Sequence, residues 1–280
     1  MRVTVVGASG FIGRRLCAVL RQNKHEVVTV SLHDPAAAAA ACDGSEAVVN
    51  LAGEPVAQRW TPEVKEKIRF SRVDAPRALI ERLGALAQPP KTYVSASAVG
   101  YYGTSDDELF TEASPPGQDF LAQVCVAWEA EADRAAQHGM RVAKIRNGVV
   151  LGLEGGALAK LLPVFMIGAG GPVASGRQWL SWIHLDDCVN LFIRAIVNAD
   201  GVLNATAPTA VRNADFTKAL AAAAKRPAVV RVPEFAVKLL LGDGAYMLTQ
   251  GQRVLPERTL QTGFQFRYDT IDAALAELFR

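Results

Sequence analysis

An apolar run, Val3-Thr4-Val5-Val6, leads without a spacer into Gly7-Ala8-Ser9-Gly10-Phe11-Ile12-Gly13, and helical patterning begins at Phe11. Strand, glycine turn and helix in that order make a device for holding a pyrophosphate. Gly7 supplies the positive φ the turn needs, Gly10 lets backbone N–H groups approach a ligand, and Gly13 lets the helix pack closely on the strand. The helix N-terminus then faces the anion, an attraction of roughly 0.3–1 kcal/mol that reaches about 2 kcal/mol when partly buried. The spacing is GxxGxxG rather than the GxGxxG of the usual dehydrogenase. Ser9, Phe11 and Ile12 belong to the same predicted cradle.

The alternation continues along the chain. β-rich runs at 26–31, 47–52, 92–95 and 141–145 are separated by helical patterns at 36–41, 62–86 and 120–137. Right-handed crossovers put helices on both faces of a sheet, so this rhythm predicts an α/β fold with a Rossmann-type, doubly wound parallel sheet. Beyond Leu151 the texture changes to glycine-rich turns, Gly155-Gly156 and Gly168-Ala169-Gly170-Gly171-Pro172, with helical stretches near 188–197, 215–224, 235–241 and 271–279. The expected division is a dinucleotide-binding domain over 1–150 and a smaller C-terminal α/β substrate domain over 151–280.

In open α/β sheets ligands lie outside the carboxyl ends of the strands. The predicted strand ends are the glycine turn, Ser31 to His33, Asn50 to Gly53, Ser95 to Ser97, and Arg146 to Gly148. Ser31, Leu51, Ala52, Gly53, Ser95 and Arg146 are therefore candidate cofactor contacts. A carboxylate after the second strand would bind a ribose 2′-hydroxyl and repel a 2′-phosphate, and Ser31 stands there instead. Arg14 or Arg15 could reach such a phosphate through a charge-assisted bond worth about 1.5–3 kcal/mol. The expected cofactor is NADP rather than NAD, although Asp34 points the other way and both arginines also suit an exposed helix face.

Thirty basic and 28 acidic residues leave a net charge of +2 with no block of one sign, which speaks against nucleic acid as a partner. The four cysteines, Cys17, Cys42, Cys125 and Cys188, are widely spaced, as expected for reduced core thiols and not for a metal site. No apolar stretch reaches the roughly 18–20 residues of a membrane span. With the first strand starting at Arg2, no targeting peptide is read, and the expected setting is soluble.

Asn50-Leu51-Ala52-Gly53-Glu54-Pro55, the run Ser95 to Gly103, Ser181-Trp182-Ile183-His184, Ser175-Gly176-Arg177-Gln178 and Gly251 to Pro256 accompany the glycine turn. With these motifs the whole chain resembles an extended short-chain dehydrogenase/reductase, and more narrowly the atypical SDR39U epimerase family. The stretches 103–105 and 120–125 are most similar to its cyanobacterial and plastid members, some labelled cell-division inhibitors. The resemblance implies cytoplasm or plastid stroma as compartment. It also implies a homodimer through the helices at 62–83 and 120–137, or a place in a larger assembly.

Active members of the wider superfamily pair a Ser or Thr after strand four with a Tyr and a Lys four residues apart on the following helix. The ammonium draws the phenol pKa from roughly 10 towards neutrality. Ser97 fits the first role, but the Tyr and Lys places fall near Leu121 and Cys125. Tyr101 or Tyr102 is the candidate replacement proton carrier, and packing is the plainer role for both. His184-Leu185-Asp186-Asp187 suits a strand running into a helix capped by Asp186. Trp128-Glu129 is assigned to packing.

Two functions follow from the resemblance. One is an NADP-dependent oxidoreductase or nucleotide-sugar-epimerase-like enzyme acting on a small-molecule substrate of unidentified structure. The other is a catalytically silent dinucleotide-binding protein serving regulation or assembly in division or an organelle.

Overall fold

A computed structural model describes residues 1–280. Its centre is a six-stranded, all-parallel sheet of β1 (Arg2–Val6), β2 (Glu26–Val30), β3 (Ala47–Asn50), β4 (Thr92–Ala98), β5 (Arg141–Asn147) and β6 (Gly201–Ala205). The spatial order is β6-β5-β4-β3-β1-β2. From β1 the chain winds outward to β2 and then returns to β3 on the other side, so the topological reversal lies between β1 and β3. The predicted sheet is present, and the glycine turn sits at its reversal point.

Helices cover both faces. On one face α1 (Phe11–Gln22) and α7 (Leu185–Val197) bury Leu16, Leu20, Leu191 and Phe192 against Val3, Val5 and Ile145. On the other, α2 (Pro35–Ala41), α4 (Asp74–Leu83) and α5 (Phe120–Asp133) close over Val6, Val48 and Tyr93. The helical pattern over 62–86 is two helices, α3 (Pro62–Arg72) and α4, broken at Val73, and the pattern over 120–137 ends as a 3-10 turn, Arg134–His138. The remaining helices are α6 (Gly156–Met166), α8 (Asn213–Ala224), α9 (Glu234–Leu241) and two short ones after it, then Ile271–Leu278. Among them α6 escapes the sequence pattern because Pro163 lies within it.

A cut at 150 does not divide this architecture. α7 packs in the main core, and β6 pairs with β5 from Gly201↔Ala143 to Ala205↔Asn147. The separate C-terminal core is built instead by Leu158, Phe165, Trp182, Phe216, Leu220 and Leu275. No helix is long and apolar enough to cross a membrane.

Candidate functional site

A cavity of about 820 Å³ opens at the carboxyl ends of β1, β2 and β3. Its floor is the Gly7–Gly10 turn, its sides the stretches 29–33 and 51–54, and its far wall Glu66, Lys67, Phe70 and Ser71 of α3. Gly7 has φ +79°, and a Cβ there would stand 2.8 Å from the Ala52 amide nitrogen. A Cβ at Gly13 would stand 2.4 Å from the Gly7 carbonyl oxygen. Both positions therefore exclude side chains, and within the turn only the small side chains of Ala8 and Ser9 stand at the cavity. α1 starts at Gly10 with no side-chain cap, which leaves its first N–H groups unspent at the cavity. Such a floor suits a diphosphate.

Of the sequence candidates, Gly7, Ser9, Gly10, Ser31, Leu51, Ala52 and Gly53 line this cavity. Phe11 does not. Its ring lies under the loop after β5, where added Cβ atoms at Gly152 and Gly155 would come within 2.7 and 2.6 Å of it. Ile12 and Gly13 stand behind the turn, Gly13 buried. Ser95 is buried in β4 with its hydroxyl donating to the Ala96 carbonyl at 2.9 Å, away from the cavity.

The arginines expected at a 2′-phosphate are engaged elsewhere. Arg14 donates to the carbonyls of Ser9 (2.9 Å) and Glu154 (3.3 Å), and Arg15 pairs with Asp186 at 2.7 Å across α1 and α7. Asp34 is turned away from the β2 end and caps α2, accepting from the amides of Ala36 and Ala37. The basic groups at the cavity are Lys67 and His33. The α3 wall lies outside the sequence expectations, which give 62–86 only as a helical pattern. Glu66, Lys67 and Phe70 share one face of that helix. Arg72 braces the wall from behind: its Nη1 donates to the Glu54 carbonyl at 2.9 Å, and its guanidinium passes Gly53 to lie 5.1 Å from the Trp128 ring centre.

Behind the cavity, the ends of β4 and β5 carry a closed polar cluster. Arg146 is 3% exposed and grips Glu129 of α5 with two bonds, Nε to Oε1 at 2.7 Å and Nη2 to Oε2 at 2.8 Å. Ser97 donates to the same Oε1 at 2.7 Å. Arg146 Nη1 donates to the Tyr102 hydroxyl at 2.9 Å, and that hydroxyl donates to Asn204 of β6 at 2.7 Å. The guanidinium lies 3.3 Å from the centre of the Tyr101 ring.

This arrangement corrects the role expected of Arg146: its donors are spent on Glu129 and Tyr102, and it does not line the cavity. Glu129, assigned to packing, is the hub. Burial opposes the Arg146 charge, but the hydrogen bond and charge of Glu129 outweigh it and hold the guanidinium protonated. Burial pushes the Tyr102 phenol up to about 12, against the pull of Arg146 and the Asn204 bond. A phenol so placed is a poor base at neutral pH. Cys125 is no substitute, because burial raises its thiol to about 12.

At α7 the cap is His184 rather than the expected Asp186: its Nδ1 accepts from the Asp186 amide at 3.1 Å. Burial lowers the His184 pKa, which favours the neutral ring that this acceptor role needs. Asp187 is buried and accepts from the amides of Arg267 and Tyr268, tying the C-terminal segment to α7.

Residues 3–207 match the NAD dependent epimerase/dehydratase family, and residues 232–278 match a domain of unknown function, DUF1731. The chain is 44% identical over 303 residues to the Epimerase family protein SDR39U1 homolog, chloroplastic, of Arabidopsis thaliana, covering 100% of this chain and 87% of the relative. It is 37% identical over 292 residues to Epimerase family protein SDR39U1 of Mus musculus, covering 99% of each. The crystal structure of human epimerase family protein SDR39U1 (isoform2) with NADPH superposes with a TM-score of 0.92 at 35% identity, covering 100% of this chain and 99% of that one. A Thermotoga maritima UDP-glucose 4-epimerase, at 16% identity and a TM-score of 0.81, shares the fold. Since a sheet with this reversal point, most of the sequence and full-length relatives agree, the chain belongs to the NAD dependent epimerase/dehydratase family, among its SDR39U1-type proteins.

Proposed function

We propose that the chain binds NADP(H) across the β1/β3 reversal and serves as an atypical, epimerase-like oxidoreductase for a small polar substrate. The carrying observation is the turn Gly7–Gly10, which bears only the small side chains of Ala8 and Ser9, on the floor of a cavity of about 820 Å³. The NADPH in the human relative supports the choice of cofactor. So does the β2 end, where Ser31 stands and the Asp34 carboxylate is turned into a helix cap. When bound, the nicotinamide supplies or accepts a hydride. The main-chain amides of the turn and of the first turn of α1 hold the diphosphate, and Leu51 to Gly53 form the side opposite Ser31.

Of the residues expected to handle a proton, Ser97 and Tyr102 are committed to Glu129 and Asn204. The Tyr101 hydroxyl has no protein partner, and its ring is held against Arg146, so we assign proton transfer to Tyr101. Calorimetric titration tests the binding: NADPH should bind with a micromolar Kd, and no heat at millimolar NADPH would remove the reading. With a panel of carbonyl compounds and nucleotide sugars followed by NADPH absorbance, Tyr101→Phe should cost at least tenfold in rate.

The commitment of Ser97 and Tyr102 favours a second reading, a binding protein without turnover. In that case the panel gives no NADPH consumption while the titration still shows binding.

A further inference from the structure

Eight of the sixteen large apolar side chains that the molecule leaves exposed lie in two short stretches, 164–167 and 229–240. The second opens the segment that matches a domain of unknown function. α9 buries Val237 and Leu241, one turn apart, against Val173 and Val232. It turns Phe235, Leu239 and Leu240 outward, each at least 70% exposed. Val229, and Ile167 just beyond α6, are 81% and 80% exposed. Main-chain bonds tie the stretches together, Val230 to Gly170 at 3.3 Å and Val232 to Pro172 at 2.9 Å, and Arg226 Nε donates to the Met166 carbonyl at 3.2 Å. Clustering of this kind marks an interaction surface.

Five unpaired charges of one sign stand around it. Arg59, which donates to the Leu239 carbonyl, and Lys160, which donates to the Ala57 carbonyl, stand exposed on one side. Lys225, Arg226 and Arg231 stand exposed on the other, and none of the five is paired with a carboxylate. The acids close by are already neutralised, Glu234 by Lys238 at 2.8 Å and Asp243 by Lys65 at 2.6 Å.

We propose that this face docks on an anionic lipid surface. Apolar side chains ringed by unpaired cations are the complement of acyl chains beneath anionic headgroups. Phe235, Leu239, Val229 and Ile167 are each at least 72% exposed, free to enter a deformable bilayer. A second copy of the chain would set the same cations against one another. No helix can span a bilayer, so the contact is peripheral. The face is joined to the nucleotide cavity by the Trp60 amide, which donates to the Leu241 carbonyl at 3.1 Å from the loop that begins at Gly53. The inference does not depend on nucleotide binding.

Flotation of the full chain with phosphatidylcholine vesicles, with and without phosphatidylglycerol, tests it. Binding is expected to the anionic vesicles alone and to weaken at least tenfold in 0.5 M NaCl. The double variants Phe235→Ser/Leu239→Ser and Arg226→Gln/Arg231→Gln should each lose at least tenfold while the unfolding midpoint stays unchanged. No binding to anionic vesicles at low salt would overturn the proposal. So would wild-type binding by the Phe235→Ser/Leu239→Ser variant. Self-association, or capture of an acidic amphipathic peptide, that this variant abolishes in the absence of any vesicle binding would overturn it too.

Discussion

The edge of the sheet at β1 and β3 and the cluster at β4 and β5 lie in one fold, yet they treat their polar groups in opposite ways. At the first, backbone donors of the Gly7–Gly10 turn and of the uncapped α1 face an open cavity. At the second, Ser97, Glu129, Arg146, Tyr102 and Asn204 satisfy one another inside the protein. A site that is to meet a ligand leaves donors unspent, whereas a buried charge is tolerated only when its neighbours consume it. Ser97 and Tyr102, two of the residues expected to handle a proton, belong to the second region, and their hydroxyls are spent on Glu129 and Asn204.

Four substitutions would break or sharpen this contrast. Glu129→Ala strands the buried Arg146 charge and should cost about 3–5 kcal/mol in urea unfolding, with NADPH affinity of the folded protein changed less than twofold. A parallel loss of affinity would join the two regions into one site. Gly7→Val should do the reverse. Its φ of +79° and the 2.8 Å approach to Ala52 resist a side chain, so NADPH affinity should fall more than tenfold in calorimetry, with about 1–3 kcal/mol lost from stability.

Tyr102→Phe removes the bond to Asn204 and one acceptor from Arg146, worth about 1–3 kcal/mol. It also has a pH signature. The folded phenol, near 12, lies above its unfolded value of 10, so the folded state holds the proton more tightly. That contribution is whole below pH 10 and is lost as pH rises towards 12; the Phe variant should lack this decline in thermal unfolding. Arg15→Gln breaks a half-exposed pair with Asp186 and should cost less than about 1 kcal/mol, leaving NADPH binding intact.

Local chemistry was legible in the sequence. The glycine turn, the strands at 2–6 and 47–50 and the residues after them announce themselves through short-range pattern, and they form the cavity floor. What stayed hidden depends on pairing between distant segments. Glu129 reads as one polar residue on an otherwise apolar helix, and only the approach of β4 and β5 reveals that it holds Ser97 and Arg146. Arg14 and Arg15 look free until residues 154 and 186 arrive. His184 and Asp186 both suit a cap by type, and geometry chose the histidine. β6 carries an ordinary run, Gly-Val-Leu-Asn-Ala, whose membership of the main sheet shows only in its register with β5.

That late strand has a consequence for how the molecule is made. During synthesis, β5 emerges long before the partner that will cover its outer side, and until Ala205 has cleared the ribosome it presents a bare row of amides and carbonyls to any other nascent strand. A fragment ending near residue 150 would keep that hazard permanently, so limited proteolysis in the loop before α6 should produce pieces that stay together in native buffer and precipitate once separated.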